Sequence, residues 1–223
     1  MVMSSLDNAI QIIIFIISLS LFLKRPVPRY LRFFPLYFFL LGIEGYILFY
    51  TSSHGIHNNI LSNNWGIAEF CFYFFVVREI VSNTLIKKVI LYSTLIYAFF
   101  SLINIFFIQH YDVFNSVNFT IGSILTVVFC IYYFVELFQK TEVQSLTRSP
   151  SFWIVSGLLF GTVLTFPMFA LISFMDLVTK SSSNASRLIF TNLDAIFDII
   201  IVLTYILYSI GFLCRIRINR SIS

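Results

Sequence analysis

The amino-acid sequence predicts an all-α, polytopic membrane protein in which seven transmembrane helices form a single bundle over residues 1–223. Two observations predict this class. The composition is 59% hydrophobic and only 11% charged, whereas soluble domains average about 25% charged residues. Long apolar runs also recur along the chain between short polar segments, and a run of about 20 apolar residues can cross a bilayer as a helix.

The segments between the apolar runs define the predicted spans. The first run is followed by KRPVPRYLR, whose two prolines predict a turn rather than a helix. The sixth run contains Gly157-x-x-x-Gly161, which favours close helix packing, and then Pro167, where we expect a kink. The seven spans cover about residues 9–23, 33–50, 65–81, 89–108, 119–138, 152–174 and 188–214.

The distribution of Lys and Arg predicts that the N-terminus lies outside and the C-terminus inside. Positive residues of membrane proteins accumulate on the cytoplasmic side. In this orientation twelve of the fourteen Lys and Arg residues lie inside, and Lys180 and Arg187 lie outside. The net charge of +4 is explained by this bias. We therefore expect the lipid bilayer as the main partner and no nucleic acid.

The last span, LIFTNLDAIFDIIIVLTYILYSIGFLC, carries two of the four carboxylates that form the candidate site. Asp194 and Asp198 are spaced i, i+4 and so lie on one helical face. Thr191, Tyr205 and Ser209 extend that face as a polar stripe. This pattern predicts that the stripe faces the interior of the bundle.

The other two carboxylates lie in the second and third spans. Glu44 lies on one stripe with three further residues, Tyr37, Leu41 and Leu48. Glu69 lies near the outer end of the third span, with Tyr73 one turn further along.

All four carboxylates fall at mid-depth or in the outer half of the predicted bundle. A charged side chain in hydrocarbon costs about 2.5–3.5 kcal/mol on insertion scales, so such residues usually face a bundle interior or a water-filled cavity. The functional interpretation is an outward-facing polar cavity that binds a small polar ligand, a cation or a proton. The structural alternative is that the carboxylates form hydrogen bonds with Tyr, Ser and Asn of neighbouring helices.

The three histidines, His54, His57 and His110, lie in predicted outer loops and are the candidates for a metal site. Histidine and carboxylate ligands suit zinc, but a His-x-x-His spacing in a loop is an unspecific signal. Intramembrane hydrolases of the alkaline ceramidase type resemble this chain in having seven helices, carboxylates and histidines. Their zinc histidines lie within helices, and no predicted span here contains histidine. We therefore expect no catalytic residue and no cofactor, and an intramembrane metal-dependent hydrolase ranks as the third alternative.

Two segments, NNWGIAEF and TNLDAIFD, suggest an internal repeat. Both open with Asn and place a carboxylate at similar depth in spans that cross the membrane in the same direction. Spans one to three and five to seven would then be parallel repeats around the fourth. This 3+1+3 plan resembles the architecture of small sugar transporters of the SWEET type and of PQ-loop proteins. The PQ dipeptide itself is absent.

Three stretches, IAEFCFYFFVV, SLINIFFIQ and SPSFWIVSGLLF, carry a closer resemblance. They are similar to a set of small seven-helix membrane proteins from Bacteroidota. The resemblance implies a bacterial inner-membrane location and signalling together with a partner such as a histidine kinase. We therefore predict a non-enzymatic sensing or signalling membrane module, with a small proton- or cation-coupled transporter as the alternative.

Overall fold

The computed structural model describes residues 5–23, 27–55, 58–109, 114–139, 146–178 and 183–220. Side chains are described for these residues except 5–9, 23, 171–178, 183–194 and 217–220. Every regular element in this part of the chain is helical, which confirms the predicted all-α class. The main helices are α1 Ser5–Leu19, α2 Arg29–Arg32, α3 Phe34–Ser53, α4 Asn59–Ile80, α5 Thr84–Ile103, α6 Ser116–Gln139, α7 Pro150–Val178 and α8 Ser183–Arg220.

Three short helical turns complete these elements. A 3-10 turn, Ser20–Leu23, continues α1. A π-helical turn, Asn104–Ile108, continues α5. A further 3-10 turn, Leu146–Arg148, precedes α7.

Six helices are long and apolar enough to cross a membrane, with lengths of 21–25 residues. The chain is therefore a multi-pass integral membrane protein. A seventh, shorter apolar helix covers Ile10–Phe22. Large apolar side chains point away from the protein along these helices, for example Tyr46 at 69%, Ile96 at 69% and Phe107 at 77% exposure. Such an exposed apolar surface suits contact with lipid rather than with water.

Each predicted span coincides with one observed helix, but several helices extend beyond their spans. The α4 helix begins at Asn59, whereas the predicted span begins at residue 65, and α5 begins at Thr84 rather than 89. These extensions carry polar residues, which a hydropathy pattern excludes although they form helical turns at the membrane surface. Pro167 lies inside α7, which continues from Pro150 to Val178. The predicted orientation and the 3+1+3 repeat stay predictions.

Six helices pack in a ring. The α1 helix contacts α3 and α8, and α8 contacts α7. The ring continues from α7 to α6, from α6 to α4 and from α4 to α3. The remaining long helix, α5, packs against α4 and α6 on the outside of this ring. The bundle interior is therefore enclosed by the short helix α1 and by five of the six long helices, all except α5.

Glycines bring α7 and α8 into close contact along a segment that we call the glycine seam, formed by Gly157, Gly161 and Gly211. A Cβ atom at Gly157 would lie 2.7 Å from the ring of Tyr208, and one at Gly161 would lie 2.9 Å from Thr204 Oγ1. A Cβ atom at Gly211 would lie 3.1 Å from Ile154 Cδ1. The two glycines predicted to allow close packing, Gly157 and Gly161, therefore lie at a tight contact between two helices of the ring.

One end of the ring is closed by an aromatic cluster, the aromatic floor, formed by Phe34, Phe38, Tyr208 and Phe212. The ring centroid of Phe34 lies 5.3 Å from that of Phe212 and 5.6 Å from that of Tyr208, both edge to face. Phe34, Phe38 and Phe212 are at most 2% exposed. Edge-to-face contact is a favoured arrangement of aromatic rings, and these buried rings pack against one another at this end of the bundle.

Candidate binding cavity

The six-helix ring encloses a cavity of ≈ 290 Å³. Each helix of the ring contributes described side chains to its wall, and α5 contributes none. The residues that line the cavity come from all six helices of the ring. They are, from α1, Gln11; from α3, Tyr37, Leu41, Glu44 and Leu48; from α4, Trp65, Glu69, Phe70 and Tyr73; from α6, Phe119; from α7, Gly157, Leu158, Gly161, Thr162, Thr165 and Phe169; and from α8, Phe197, Ile200, Ile201, Thr204, Tyr205 and Tyr208.

The cavity extends from the aromatic floor toward the opposite end of the ring. Tyr208 of the floor lines the cavity, and Tyr37 lies next to the floor. Leu48 lies near the C-terminal end of α3, and Phe119 lies near the N-terminal end of α6. These ends lie on the predicted outer side of the membrane. The closed end of the cavity is therefore the end that the charge distribution assigns to the cytoplasm.

Glu69 is held in position by two tyrosine hydroxyls. Tyr37 Oη donates a hydrogen bond of 2.8 Å to Glu69 Oε1, and Tyr73 Oη donates to the same oxygen. The two hydroxyls lie 3.3 Å apart. The ring of Tyr37 stacks on Phe72 with a centroid distance of 4.5 Å. Stacking fixes the ring, and the ring in turn fixes the carboxylate against one wall of the cavity.

Glu44 is half-buried on the neighbouring wall, at mid-depth in α3. Within the described part of the chain it forms no hydrogen bond or ion pair, and it lines the same cavity as Glu69. Two carboxylates in one low-dielectric cavity repel each other when both are ionised. A bound cation or a shared proton would relieve this repulsion.

The structure brings two of the four predicted site residues, Glu44 and Glu69, to this cavity. Asp198 is half-buried on α8 and is not a lining residue. Asp194 lies in α8, and its side chain is outside the described residues. The described cavity face of α8 is formed by Phe197, Ile200, Ile201, Thr204, Tyr205 and Tyr208.

The histidines lie apart from the cavity where they are described. His54 ends α3, is exposed, and its Nδ1 lies 2.8 Å from the carbonyl oxygen of Tyr50. His57 and His110 lie outside the described residues. Among the described residues, no group of three or more His, Cys, Asp or Glu side chains could hold a metal ion.

A second polar cluster, the amide cluster, lies between the π-helical turn and the start of α6. Asn104 Nδ2 lies within hydrogen-bonding distance of Asn115 Oδ1, at 2.6 Å, and of Asn118 Oδ1, at 3.0 Å. Asn118 Nδ2 donates to the carbonyl oxygen of Ser101, and the backbone N–H of Asn115 donates to Asn63 Oδ1. The four asparagines are 1–3% exposed and do not line the cavity.

Two tyrosines bond to Glu69, and helical spacing alone could assign only one of them. Tyr73 is four residues from Glu69, so a contact within α4 could be expected from helical spacing. Tyr37 lies on α3, and its bond to Glu69 depends on how two helices pack. The signal that could have found it is the Tyr37 to Glu44 stripe, whose polar members share one face.

Comparison with protein-family models, with curated proteins and with solved structures finds no match to this chain.

Proposed function

We propose that the protein is a ligand-sensing membrane protein whose binding site is the central cavity, with Glu44 and Glu69 as its charged residues. The observation that carries this proposal is the placement of two carboxylates on the wall of a cavity of ≈ 290 Å³ inside an apolar bundle. Ionisable residues within a membrane are costly, and they commonly mark binding sites or ion pathways. In the proposal Asp194 and Asp198 contribute to the outer part of the site.

A sensor must pass its signal to another molecule. The aromatic floor supports a cavity with a single entrance, on the side opposite the basic ends of the helices. Arg29, Arg78 and Arg215 lie near those basic ends, where a signalling partner such as a histidine kinase would make contact. Ligand binding in the cavity would change the packing of α3 and α8 through Tyr37, Tyr208 and the floor.

The second candidate is a small proton- or cation-coupled transporter. It is favoured by one specific observation, namely that two carboxylates share a cavity at mid-depth, as in the proton relays of pumps and transporters. A transporter must expose the same site to each side of the membrane in turn. The two candidates therefore differ in whether the cavity can be reached from one side of the membrane or from both.

Access to the cavity from each side of the membrane can be measured at Thr165, a residue of α7 that lines the cavity. In a background in which Cys71, Cys130 and Cys214 are replaced by Ala, Thr165→Cys would be treated with a membrane-impermeant, positively charged methanethiosulfonate reagent. The reagent would be added to intact cells and to inverted membrane vesicles. Val163→Cys is the matched control, because Val163 lies on the same helix but does not line the cavity and is 47% exposed on the surface of the bundle.

A sensor with an outward-facing cavity predicts labelling of Thr165→Cys in cells and none in inverted vesicles. Labelling in both preparations would favour the transporter. Absence of labelling in both, with a folded protein, would contradict a ligand-binding cavity and leave the carboxylates with a structural role. Val163→Cys should react in neither preparation.

A further inference from the structure

The charge of the cavity restricts the ligands that it can bind. Glu44 and Glu69 are the only charged residues among its described lining residues, which include no Lys, Arg or His. In a low-dielectric site a negative wall attracts cations and repels anions. An anionic ligand would also have no positive partner on the described walls.

The size of the cavity indicates more than a single inorganic ion. A water molecule takes about 30 Å³ in the liquid, so ≈ 290 Å³ is far larger than one metal ion. Mg²⁺ and Ca²⁺ require about six to eight oxygen ligands at short range, and the described walls offer two carboxylates. Two lining hydroxyls bond within their own helices, Thr165 Oγ1 to the carbonyl oxygen of Gly161 and Thr204 Oγ1 to that of Ile200, each at 2.8 Å.

The wall is strongly aromatic. Nine of the twenty-two described lining residues are Phe, Tyr or Trp. The rings of Tyr37 and Trp65 are stacked with a centroid distance of 6.3 Å next to Glu69. Aromatic faces attract ammonium groups, and this interaction strengthens when the cation is desolvated. The same faces also bury the apolar body of a ligand.

From these features we propose that the cavity binds an organic ammonium ion with an apolar, ring-sized body. The ammonium group lies between Glu44 and Glu69, and the body packs against the aromatic wall near Trp65. This inference rests on the proposed function and specifies the ligand class of the same site. It applies whether the ligand is sensed or transported.

Trp65 provides a direct reporter, because the chain has two tryptophans and only Trp65 lines the cavity. Trp153→Phe would leave Trp65 as the single fluorophore in protein reconstituted into lipid nanodiscs. Three probes of similar shape would be titrated: 2-phenylethylammonium, the neutral 2-phenylethanol and the anionic phenylacetate. Trp65→Phe, which keeps Trp153, is the matched control for probe that only partitions into lipid.

We expect 2-phenylethylammonium to bind at least about tenfold more tightly than 2-phenylethanol, because a charged hydrogen bond and a desolvated cation–π contact act together. Phenylacetate should bind most weakly. Glu44→Gln combined with Glu69→Gln should weaken ammonium binding about tenfold and leave the alcohol unchanged. Glu44→Gln alone should have a smaller effect in the same direction, and thermal unfolding would verify that each variant is folded.

Equal binding of ammonium and alcohol, or tighter binding of phenylacetate, would overturn the proposed ligand class. So would an ammonium preference that survives in the double variant, or a Trp65 signal that responds to none of the three probes. None of these results would decide the proposed function, because labelling of Thr165→Cys does not depend on the identity of the ligand.

Discussion

The bundle contains two polar clusters, and their side chains differ in how far they are hydrogen-bonded within the protein. In the amide cluster four neutral, buried asparagines bond to one another and to nearby backbone. In the cavity two carboxylates face open volume, and Glu44 has no hydrogen-bond partner within the described part of the chain. Polar groups that bond to one another hold helices together, although Asn104 Oδ1 and Asn115 Nδ2 have no partner within the described part of the chain. Carboxylates that face open volume retain the capacity to bind something else.

The largest effect on stability is expected from a substitution in the amide cluster, which tests this contrast. Asn104→Leu removes the amide at the centre of the cluster and with it the donor to two buried oxygens, Asn115 Oδ1 and Asn118 Oδ1. We expect the free energy of unfolding to fall by about 2–3 kcal/mol, measured by thermal unfolding in detergent. The affinity for 2-phenylethylammonium, measured at room temperature, should stay the same.

Thr94→Val is the control for Asn104→Leu, because the Thr94 hydroxyl bonds only within its own helix, to the carbonyl oxygen of Ile90. It should change stability by less than about 0.5 kcal/mol. If Asn104→Leu weakened ligand binding while the protein remained folded, the two clusters would be coupled and the contrast between them would fail.

A smaller effect is expected at the cavity wall. Gly157→Ala places a methyl group 2.7 Å from the ring of Tyr208, which is 2% exposed and packed against the aromatic floor. Overpacking of this kind should cost about 1–2 kcal/mol and should also weaken ligand binding, because the added group lies at the cavity wall. Differential scanning fluorimetry and the Trp65 titration would measure the two effects.

Gly42→Ala is the matched substitution, since a Cβ atom at Gly42 would meet nothing within 4 Å. It should be neutral or slightly stabilising because alanine favours helix more than glycine. Equal destabilisation at both positions would mean that the effect reflects the backbone and not the space around Gly157.

The smallest effect is expected at Tyr73, where the contribution of its hydroxyl to stability can be separated from its contribution to ligand binding. Tyr73→Phe removes one hydroxyl donor to Glu69 and leaves the other, Tyr37. We expect a loss of about 0.5–1.5 kcal/mol in stability and a change of no more than about threefold in ammonium affinity. Tyr46→Phe, on a residue that is 69% exposed, should change neither quantity. A complete loss of binding in Tyr73→Phe would make the tyrosine itself a ligand contact.

The sequence predicted helical faces best where polarity and helical spacing agree. The stripe Tyr37, Leu41, Glu44 and Leu48 was read from spacing, and all four side chains line the cavity. In the last span the same reasoning was less informative. Tyr205 of the predicted stripe lines the cavity, but Asp198 and Ser209 do not. There the described cavity face is largely apolar and aromatic, so polarity did not mark it.

Other features depend on contacts that a single-helix pattern does not contain. The bond from Tyr37 to Glu69 joins α3 to α4, and the position of α5 outside the ring follows from how seven helices pack. The amide cluster needs the π-helical turn at Asn104, which hydropathy does not indicate. Spacing within a helix specifies which residues share a face, whereas the packing of the bundle decides which faces of neighbouring helices are in contact.

The glycine seam has a mechanical consequence. Helices whose glycines pack this closely against facing side chains have little free space between them, and packed interfaces shift between discrete arrangements rather than deforming continuously. The α7 and α8 helices should therefore move as one rigid body about the cavity. Any opening or closing motion then falls to the α1 and α3 side of the ring, which carries Gln11 and Glu44. The α3 wall with Glu44 would be a moving part of the site, and the glycine-lined half would be its fixed frame.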